Sequence, residues 1–275
     1  MNWVPLFFFD AVCHQLRQTA FTQIPQLSGN WSRFGSAHDK KRHELSFICK
    51  IDEQQVSYVI RNAKCCRAIE DLDVEFDRIT SVTCDFARPD VRRVSLREFQ
   101  RDVLPLIASL VANCSFKQRS TAQSEIFFEA FRNSPGFNEI WLKEQSEESS
   151  DFLARQVEFG SVQSIYLRNE DATTCSDPQM LEAFVRSTRF SHLNASGSLS
   201  NDFALLALFL ERALTGELKP GSRILVEVIT FDLNRLFALR PECHDNERRL
   251  TWRIPNMKRR ITLQHLKDGK QLFVY

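Results

Sequence analysis

The side chains best suited to chemistry in this sequence are Cys243, His244 and Asp245, which follow one another in a polar stretch predicted to be a loop. A thiol beside an imidazole can form a nucleophile and base pair, and all three side-chain types bind metal ions. A metal site would need a second ligand pair at suitable spacing, and the eight cysteines form no CxxC motif. The sequence therefore predicts no catalytic residues, no metal and no cofactor.

A glycine-spaced segment, residues 216–222 (GELKPGS), has the outline of a phosphate-binding loop. It lacks the lysine that should follow Gly221, and it comes after a helix-like run, whereas the motif follows a strand. A turn that ends a helix is the better interpretation. Only 8 of the 275 residues are glycine, less than half of the roughly 7% that is usual. This scarcity argues against nucleotide-binding folds.

The charges are almost balanced, with 36 Lys+Arg against 35 Asp+Glu and a formal net charge of +1. This balance lacks the strong positive field of a dedicated nucleic-acid-binding protein. Basic residues cluster near the C-terminus, where they are interleaved with Trp252. That cluster could contact an acidic partner or be a solvated hairpin face; its members are Arg248, Arg249, Arg253, Lys258, Arg259 and Arg260.

The first ten residues are apolar but do not read as a signal peptide, because they contain no Lys or Arg and Asp10 interrupts the run. The longest apolar stretches fall short of the roughly 20 residues that a membrane-spanning helix needs. The scattered cysteines suit a reducing compartment, where they act as small buried side chains. We expect a soluble protein of the cytoplasm or nucleus that binds no membrane and no nucleic acid.

Residues 1–44 are predicted to form a helical head, the first of the elements that could position a site. Its apolar residues recur at helical spacing and outnumber what three short helices can bury. Part of this apolar surface should therefore be covered by the rest of the chain or by another protein. The apolar set is Trp3, Leu6, Phe7, Phe8, Phe9, Val12, Leu16, Phe21, Ile24, Leu27, Trp31 and Phe34.

Behind the head, the β-prone runs 44–50 and 55–61 predict a hairpin within a connector, residues 45–76. Residues 77–230 then alternate strand-like and helix-like runs about every 20–30 residues, the period of leucine-rich repeats. The alternation predicts an α/β or α+β protein whose body is a degenerate leucine-rich-repeat-like solenoid. An ordinary α/β domain with a parallel sheet remains the alternative. Residues 231–275 return to strands and could form a β-meander cap.

Two aromatic residues of the predicted strands, Trp141 and Tyr166, are candidates for a binding surface. Alternate residues of a strand face the same side, so Glu139 and Trp141 would share one face with Ser164 and Tyr166. Trp and Tyr are common interface anchors, although both are also common in cores. If the two rings are buried, the basic hairpin around Arg249, Trp252 and Arg260 is the second candidate.

The head also carries a resemblance to a known family. Val4-Pro5 is followed by an apolar helix and then by Ile24-Pro25-Gln26-Leu27-Ser28-Gly29-Asn30-Trp31. This pattern resembles the F-box, and the segment is most similar to the divergent F-box heads of nematode F-box protein families. In those families the head precedes a β/α repeat region.

The resemblance implies a non-enzymatic substrate receptor of a cullin-based ubiquitin ligase. The head would bind the ligase's small adaptor protein, and the repeat region would bind an unknown target protein through Trp141, Tyr166, Arg249, Trp252 and Arg260. A scaffold without a ligase role and an α/β enzyme with a dispersed site remain the alternatives. The residues expected to contact the adaptor are Val4, Pro5, Leu6, Phe8, Ile24, Leu27 and Trp31.

Overall fold

The computed structural model describes residues 5–16, 23–26, 29–84, 92–120, 123–168, 177–196, 202–226, 243–245, 249–253, 260–266 and 269–274. The chain divides into two compact units, Met1–Asn138 (unit 1) and Glu139–Tyr275 (unit 2). Their boundary lies inside the predicted repeat region. The predicted division into segments 1–44, 45–76, 77–230 and 231–275 stays a prediction.

The described helices alternate with strands along most of the chain. The α-helices are α1 (Leu6–Gln15), α2 (Asn30–Lys41), α3 (Leu96–Glu98), α4 (Leu104–Leu110), α5 (Glu125–Phe131), α6 (Glu147–Glu158), α7 (Pro178–Arg186) and α8 (Asp202–Leu214). A π-helical turn, Phe99–Val103, joins α3 to α4, and short 3₁₀ turns occupy Ile24–Gln26 and Ile69–Asp71.

The described strands are β1 (His43–Asp52), β2 (Gln55–Arg61), β3 (Cys66–Arg67), β4 (Asp77–Cys84), β5 (Arg92–Ser95), β6 (Val111–Gln118), β7 (Phe137–Leu142), β8 (Ser164–Arg168), β9 (His192–Ser196), β10 (Arg223–Val226), β11 (Cys243–Asp245), β12 (Arg249–Arg253), β13 (Arg260–Leu266) and β14 (Gly269–Val274).

Side-chain caps determine where helices α6 and α7 begin. Before α6, the Ser146 hydroxyl accepts from the Ser149 amide at 3.2 Å, and the Ser149 hydroxyl accepts from the Ser146 amide at 2.8 Å. This reciprocal cap satisfies two amides that the helix itself leaves free. Before α7, the Asp177 carboxylate accepts from the Gln179 amide at 2.9 Å, and Pro178 occupies the first turn.

Unit 1 contains a mixed sheet. Strand β1 pairs in parallel with β4, and β4 pairs in parallel with β6. On its other side β1 forms an antiparallel hairpin with β2, which also pairs antiparallel with β3 and β5. In β6 alternate residues are buried, as expected of a strand with one face on a core. Helices α4 and α5 contribute to that core.

The core of unit 1 is built largely from phenylalanine rings. The Phe131 and Phe137 rings meet edge to face with centroids 5.4 Å apart, and Phe99 and Phe127 meet in the same way at 5.9 Å. Such pairs add to the stabilisation that burial alone provides. The fully buried rings of this unit are Phe47, Phe99, Phe116, Phe127, Phe131 and Phe137.

The helices of the head pack on one another within unit 1. Cys13 of α1 is fully buried and shares a small core with Ile24, Leu16, Trp31 and Phe34. The following helix, α2, extends through Lys41 and leads directly into β1. The head therefore has an apolar core of its own.

Unit 2 begins with parallel strands in consecutive order. Strand β7 pairs in parallel with β8, β8 with β9, and β9 with β10. The strand beside β10 is β14, and from there β14, β13, β12 and β11 pair antiparallel. Helix α6 lies between β7 and β8 in the chain, α7 between β8 and β9, and α8 between β9 and β10.

One register row of unit 2 shows which face of these strands meets the core. Ile140, Ile165, Leu193 and Ile224 are direct partners across β7 to β10, and none is more than 1% exposed. The same row continues by backbone register through Leu272, Leu263 and Leu250. A continuous apolar row fixes the register, because a slip of one residue would turn it to the other face.

The predicted secondary structure agrees with much of this arrangement. The hairpin predicted at 44–61 is confirmed by the pairing of β1 with β2, and the predicted helices 124–132, 149–157, 178–187 and 202–214 match α5 to α8 within two residues. The chain is a mixed α/β protein with parallel strands in both units. The loop prediction for Cys243–Asp245 is wrong, because these residues form β11 and pair with β12.

None of the described helices combines the length and the apolar character needed to cross a bilayer.

Candidate interaction surfaces

The head exposes part of its aromatic surface at the start of α1. The Phe8 side chain is 45% exposed, and Pro5 just before the helix is also exposed. Beside them the half-buried Trp31 ring meets Phe9 edge to face with centroids 4.6 Å apart, and Phe8 meets the same ring at 6.3 Å. Because Phe9 is buried, it holds Trp31 in place and leaves Phe8 outermost.

Ile24 does not belong to this exposed surface. Its side chain is only 8% exposed, and it packs against Gly35 of α2. A Cβ atom on Gly35 would lie 2.3 Å from the Ile24 Cγ2 atom, so the absence of a side chain at Gly35 makes the close approach possible. The prediction that Ile24 belongs to an exposed face is therefore wrong, and its contact with an adaptor stays a prediction.

The other predicted adaptor contacts are only partly visible. Val4 and Leu27 lie outside the described residues. Leu6 begins α1, but its side chain is outside the described part of the structure. The described candidates for an exposed head surface are thus Pro5 and Phe8, with Trp31 beside them.

Unit 2 presents a second surface, on the side of β7 to β10 opposite to the apolar row. We call it the strand face. Its residues occupy alternate strand positions. Ser164 is buried, and the others are half-buried or exposed. They form two register rows: Glu139, Ser164, His192 and Arg223 in the first, and Trp141, Tyr166, Asn194 and Leu225 in the second.

Two aromatic rings stack at the centre of the second row. The Trp141 and Tyr166 ring centroids are 3.7 Å apart and the ring planes differ by 10°. Trp141 is 39% exposed, and its Nε1–H donates to the Glu139 carboxylate two residues before it. The stack and the hydrogen bond together hold both rings in one orientation before any partner binds. A preorganised aromatic pair of this kind loses little conformational entropy when it becomes an interface.

His192 lies in the first row and connects neighbouring strands. Its Nδ1 atom is 3.1 Å from the Ser164 hydroxyl and 2.9 Å from the Ser191 hydroxyl. Burial, followed by the positive charge of Arg223, holds the pKa of His192 below its usual value, while Glu139 acts in the opposite direction. The contact between His192 and the Ser164 hydroxyl links β9 to β8. Because the pKa of His192 is lowered, the imidazole on the strand face is neutral near pH 7.

Cationic side chains flank the aromatic pair, and the sequence analysis did not single them out. Arg168 is exposed at the end of β8, two residues beyond Tyr166, and Lys143 is two residues beyond Trp141. Arg223 begins β10 in the first row. The signal that could have found Arg168 and Lys143 is their spacing of two residues from Tyr166 and Trp141, which places Arg168 on the same face of its strand as Tyr166.

The C-terminal candidates are placed by backbone register alone, since their side chains lie outside the described part of the structure. Thr251 pairs with Thr262, Thr262 with Phe273, and Phe273 with Arg223, which belongs to the strand face. Arg249 and Arg253 are two residues from Thr251, and Arg260 is two residues from Thr262 and pairs with Arg253. These three positions therefore share the side of the strand face.

Trp252 is separated from those arginines by the strand pleat. It pairs with Ile261, whose alternate neighbour Leu263 belongs to the apolar row. Trp252 and Arg249 were predicted to bind the same target together with Arg260. By register Trp252 occupies the opposite side of the sheet, so a single partner on the strand face would meet the two arginine positions and not Trp252.

A groove of about 560 Å³ lies between α7 and α8 on the helical side of unit 2. Glu182, Arg186 and Glu211 are its charged residues, and Ala204 and Ala207 contribute small side chains on α8. No sequence motif had indicated this groove; the small residues three positions apart are the one pattern that could have done so.

Among the described residues, no group of three or more His, Cys, Asp and Glu side chains is arranged to hold a metal ion. Comparison with protein-family models gives no match, and comparison with curated proteins gives none.

Proposed function

We propose that this protein is a substrate receptor with an F-box-like head and a degenerate leucine-rich-repeat-like body. The head would bind the small adaptor of a cullin-based ubiquitin ligase, and the strand face of unit 2 would bind a target protein. The chain performs no chemistry in this proposal. It brings the target close to the ligase, in the cytoplasm or the nucleus.

The observation that carries the proposal is the preorganised stack of the exposed Trp141 on the half-buried Tyr166, on strands whose opposite side is buried. Aromatic anchors of this size contribute much of the energy of protein interfaces. Large exposed aromatic surface is costly in water unless a partner covers it for part of the time. A binding surface explains why both rings lie outside the core.

The strand order supports the repeat-like body. In β7 to β10 each new parallel strand is added beside the previous one, and the order does not reverse. Doubly wound α/β enzymes reverse their strand order and bind ligands at the point of reversal. A consecutive order is the expected arrangement of a solenoid, which uses its strand side as an extended binding surface. The antiparallel strands β11 to β14 would close the end of this body as a cap.

The head supports the adaptor part of the proposal through Pro5 and Phe8. Both are exposed at the start of α1, where the F-box resemblance places adaptor contacts. Phe8 is held from behind by the Trp31 ring. A supported aromatic residue at the edge of a small helical head is a suitable interface anchor.

The test is direct binding of the full chain to the purified adaptor. The double variant Pro5→Ala/Phe8→Ala should weaken adaptor binding by at least about tenfold, since interface anchors typically contribute 1–2 kcal/mol or more. Arg33→Ala, an exposed change on α2, is the matched control and should bind like the parent. Circular dichroism of each variant shows that the fold is intact. If the parent does not bind, or the double variant binds as well, the adaptor part of the proposal is wrong.

A second candidate function is a binding scaffold without any ligase role. It is favoured by the burial of Phe9, Cys13 and Ile24 inside the head, because the chain itself covers these apolar side chains. The same binding test separates the two candidates, because a scaffold would keep its strand-face partner and would not bind the adaptor.

A further inference from the structure

Arginines outnumber carboxylates at the register positions of the strand face. At its described strand positions, continued by register onto β11 to β14, there are five arginines and two carboxylates. The arginines are Arg168, Arg223, Arg249, Arg253 and Arg260, and the carboxylates are Glu139 and Asp245. The whole chain has a formal net charge of only +1. These register positions therefore hold more formal positive charge than the whole chain, and the remaining residues are acidic on balance.

We infer that the strand face binds an acidic polypeptide segment that also carries an apolar or aromatic anchor. The anchor packs on the Trp141–Tyr166 stack, and Asp or Glu side chains of the segment pair with arginines along the face. This inference rests on the proposed function, because it names the chemistry of the target that the receptor would bind.

Distances along the sheet define the length of the segment. Six strand spacings separate β7 from β12, which is about 29 Å at the usual 4.8 Å per strand. An extended polypeptide covers that distance with about nine residues. A short linear segment running across the strands is therefore long enough to extend from the aromatic stack to the register position that Arg253 shares with Arg260.

A polypeptide fits this face better than a single-stranded nucleic acid does. The Glu139 carboxylate lies beside the aromatic pair and accepts from Trp141 Nε1, so a phosphate backbone over the stack would meet a negative charge. The two rings are in direct contact at 3.7 Å, so no base can enter between them. An acidic side chain can avoid Glu139 and reach Arg168 instead.

The inference is tested by selecting random twelve-residue peptides, displayed on phage, against the immobilised full-length chain. We expect the selected sequences to be enriched in Asp and Glu together with at least one Phe, Trp, Tyr or Leu. A synthetic peptide of the most frequent sequence is then labelled with fluorescein and its affinity is measured by anisotropy. Absence of any enriched sequence, or enrichment without acidic residues, overturns the inference.

Variants locate the binding on the strand face. Arg168→Glu should lower the affinity for the selected peptide by about tenfold or more, because a repulsive charge replaces an attractive one. Arg186→Glu on α7 is the matched control, since Arg186 is exposed in the same unit but lies on the helical side. Equal losses in the two variants would overturn the inference. The inference would also be overturned if a labelled twelve-nucleotide oligouridylate bound more tightly than the peptide and Arg168→Glu weakened that binding.

The peptide-binding experiment and the adaptor-binding experiment can succeed or fail independently of each other. Pro5→Ala/Phe8→Ala should leave peptide affinity unchanged, and Arg168→Glu should leave adaptor binding unchanged. If the adaptor does not bind and the acidic peptide does, the ligase role fails and the chemistry of the strand face stands. If the adaptor binds and no acidic peptide is selected, the receptor role stands and this inference fails.

Discussion

The Arg42 guanidinium donates to the main-chain carbonyl of Cys13 over 2.9 Å and thereby joins the end of α1 to the beginning of β1. The carbonyl belongs to the last turn of α1, where a positive charge is favourable, and it also accepts from the Leu16 amide at 3.2 Å. Arg42 is only 5% exposed, and its burial lowers its pKa. A buried cation placed at a helix end is a strong constraint on where the head can sit within unit 1.

The first prediction follows from this contact. Arg42→Met keeps most of the apolar stem but removes the charged donor to the Cys13 carbonyl and leaves the Leu16 amide in place, so we expect a local loss of about 1–3 kcal/mol. We expect the amides of α1 to exchange hydrogen faster while those of β4 and β6 do not change. Arg33→Met, an exposed arginine of α2, is the control. Unchanged exchange in α1 would show that the contact does not hold the head.

The second prediction concerns the contact between Gly35 and Ile24. Gly35→Ala introduces a Cβ atom where Ile24 already lies, so we expect a loss of about 1–3 kcal/mol in the free energy of unfolding, measured with urea. Ser36→Ala is the control in the same helix. Adding Ile24→Ala to Gly35→Ala should recover part of the loss attributed to the clash. Strictly additive losses in this double-mutant cycle would contradict the contact.

The third prediction concerns Asp77, a fully buried carboxylate. It accepts from the His43 ring nitrogen at 2.9 Å, from the Arg67 guanidinium at 3.0 Å and from the Asp73 amide at 2.9 Å. Asp77→Asn removes the charge and one acceptor, leaving Arg67 with a weaker partner. We expect the free energy of unfolding to fall by about 2–4 kcal/mol.

The control for Asp77 is Asp71→Asn, an exposed change in the Ile69–Asp71 turn. It should change the free energy of unfolding by less than about 0.5 kcal/mol. A loss at Asp77 no larger than the loss at Asp71 would mean that the buried carboxylate is not needed to hold β3 near the start of β4.

The fourth prediction is a pH dependence at His192. Because the pKa of His192 is lowered in the folded protein, its contribution to stability is complete above the unfolded value of about 6.5. As the pH falls below that value, the unfolded chain takes up the proton first and the contribution is lost. The groups that face His192 are Glu139, Ser164, Ser191 and Arg223.

His192→Gln removes this titration, so the melting temperature of the variant should fall less than that of the parent between about pH 7.5 and pH 5.5. An NMR titration of the His192 ring gives the pKa directly. Equal falls in melting temperature, or a ring pKa above about 6.5, would contradict the assignment.

The fifth prediction concerns cysteine accessibility. Cys65 and Cys66 are exposed, whereas Cys13, Cys49, Cys84 and Cys114 are buried. Burial raises the pKa of the Cys49 and Cys114 thiols, which lowers their reactivity further.

Brief treatment of the native protein with a maleimide should therefore modify Cys65 and Cys66 among these six residues, as mapped by mass spectrometry. The Cys65→Ser/Cys66→Ser variant should lose two equivalents of rapid labelling. Rapid labelling of Cys114 in the native protein would show that the core of unit 1 opens easily.

Much of the fold could be predicted from hydrophobic periodicity, and the failures have physical causes. The parallel strands and α5 to α8 carry strong alternation or helical spacing over many residues, so their positions were predictable. Strands β3, β5 and β11 have two to four residues and lie at sheet edges, so they show no period. Periodicity could not predict the π-helical turn at Phe99–Val103, because its apolar residues fit an ordinary helix equally well.

The sites depended on information that pattern alone does not contain. Trp141 and Tyr166 were chosen from strand alternation, but their stacking required the register between β7 and β8. Ile24 was expected to be exposed because apolar residues were only counted against the size of the head. Its burial depends on one small residue, Gly35, that lies eleven positions away in the sequence and adjacent in space.

The consecutive order of β7, β8, β9 and β10 has a consequence for how unit 2 folds. Every parallel pair in this run forms between strands that also follow one another along the chain, so each pairing closes only a short loop. Such a run can grow one strand at a time, and its stability depends mainly on nearest neighbours. The pairing of β10 with β14, which skips the intervening strands, closes a longer loop and is the slow step expected to complete the unit.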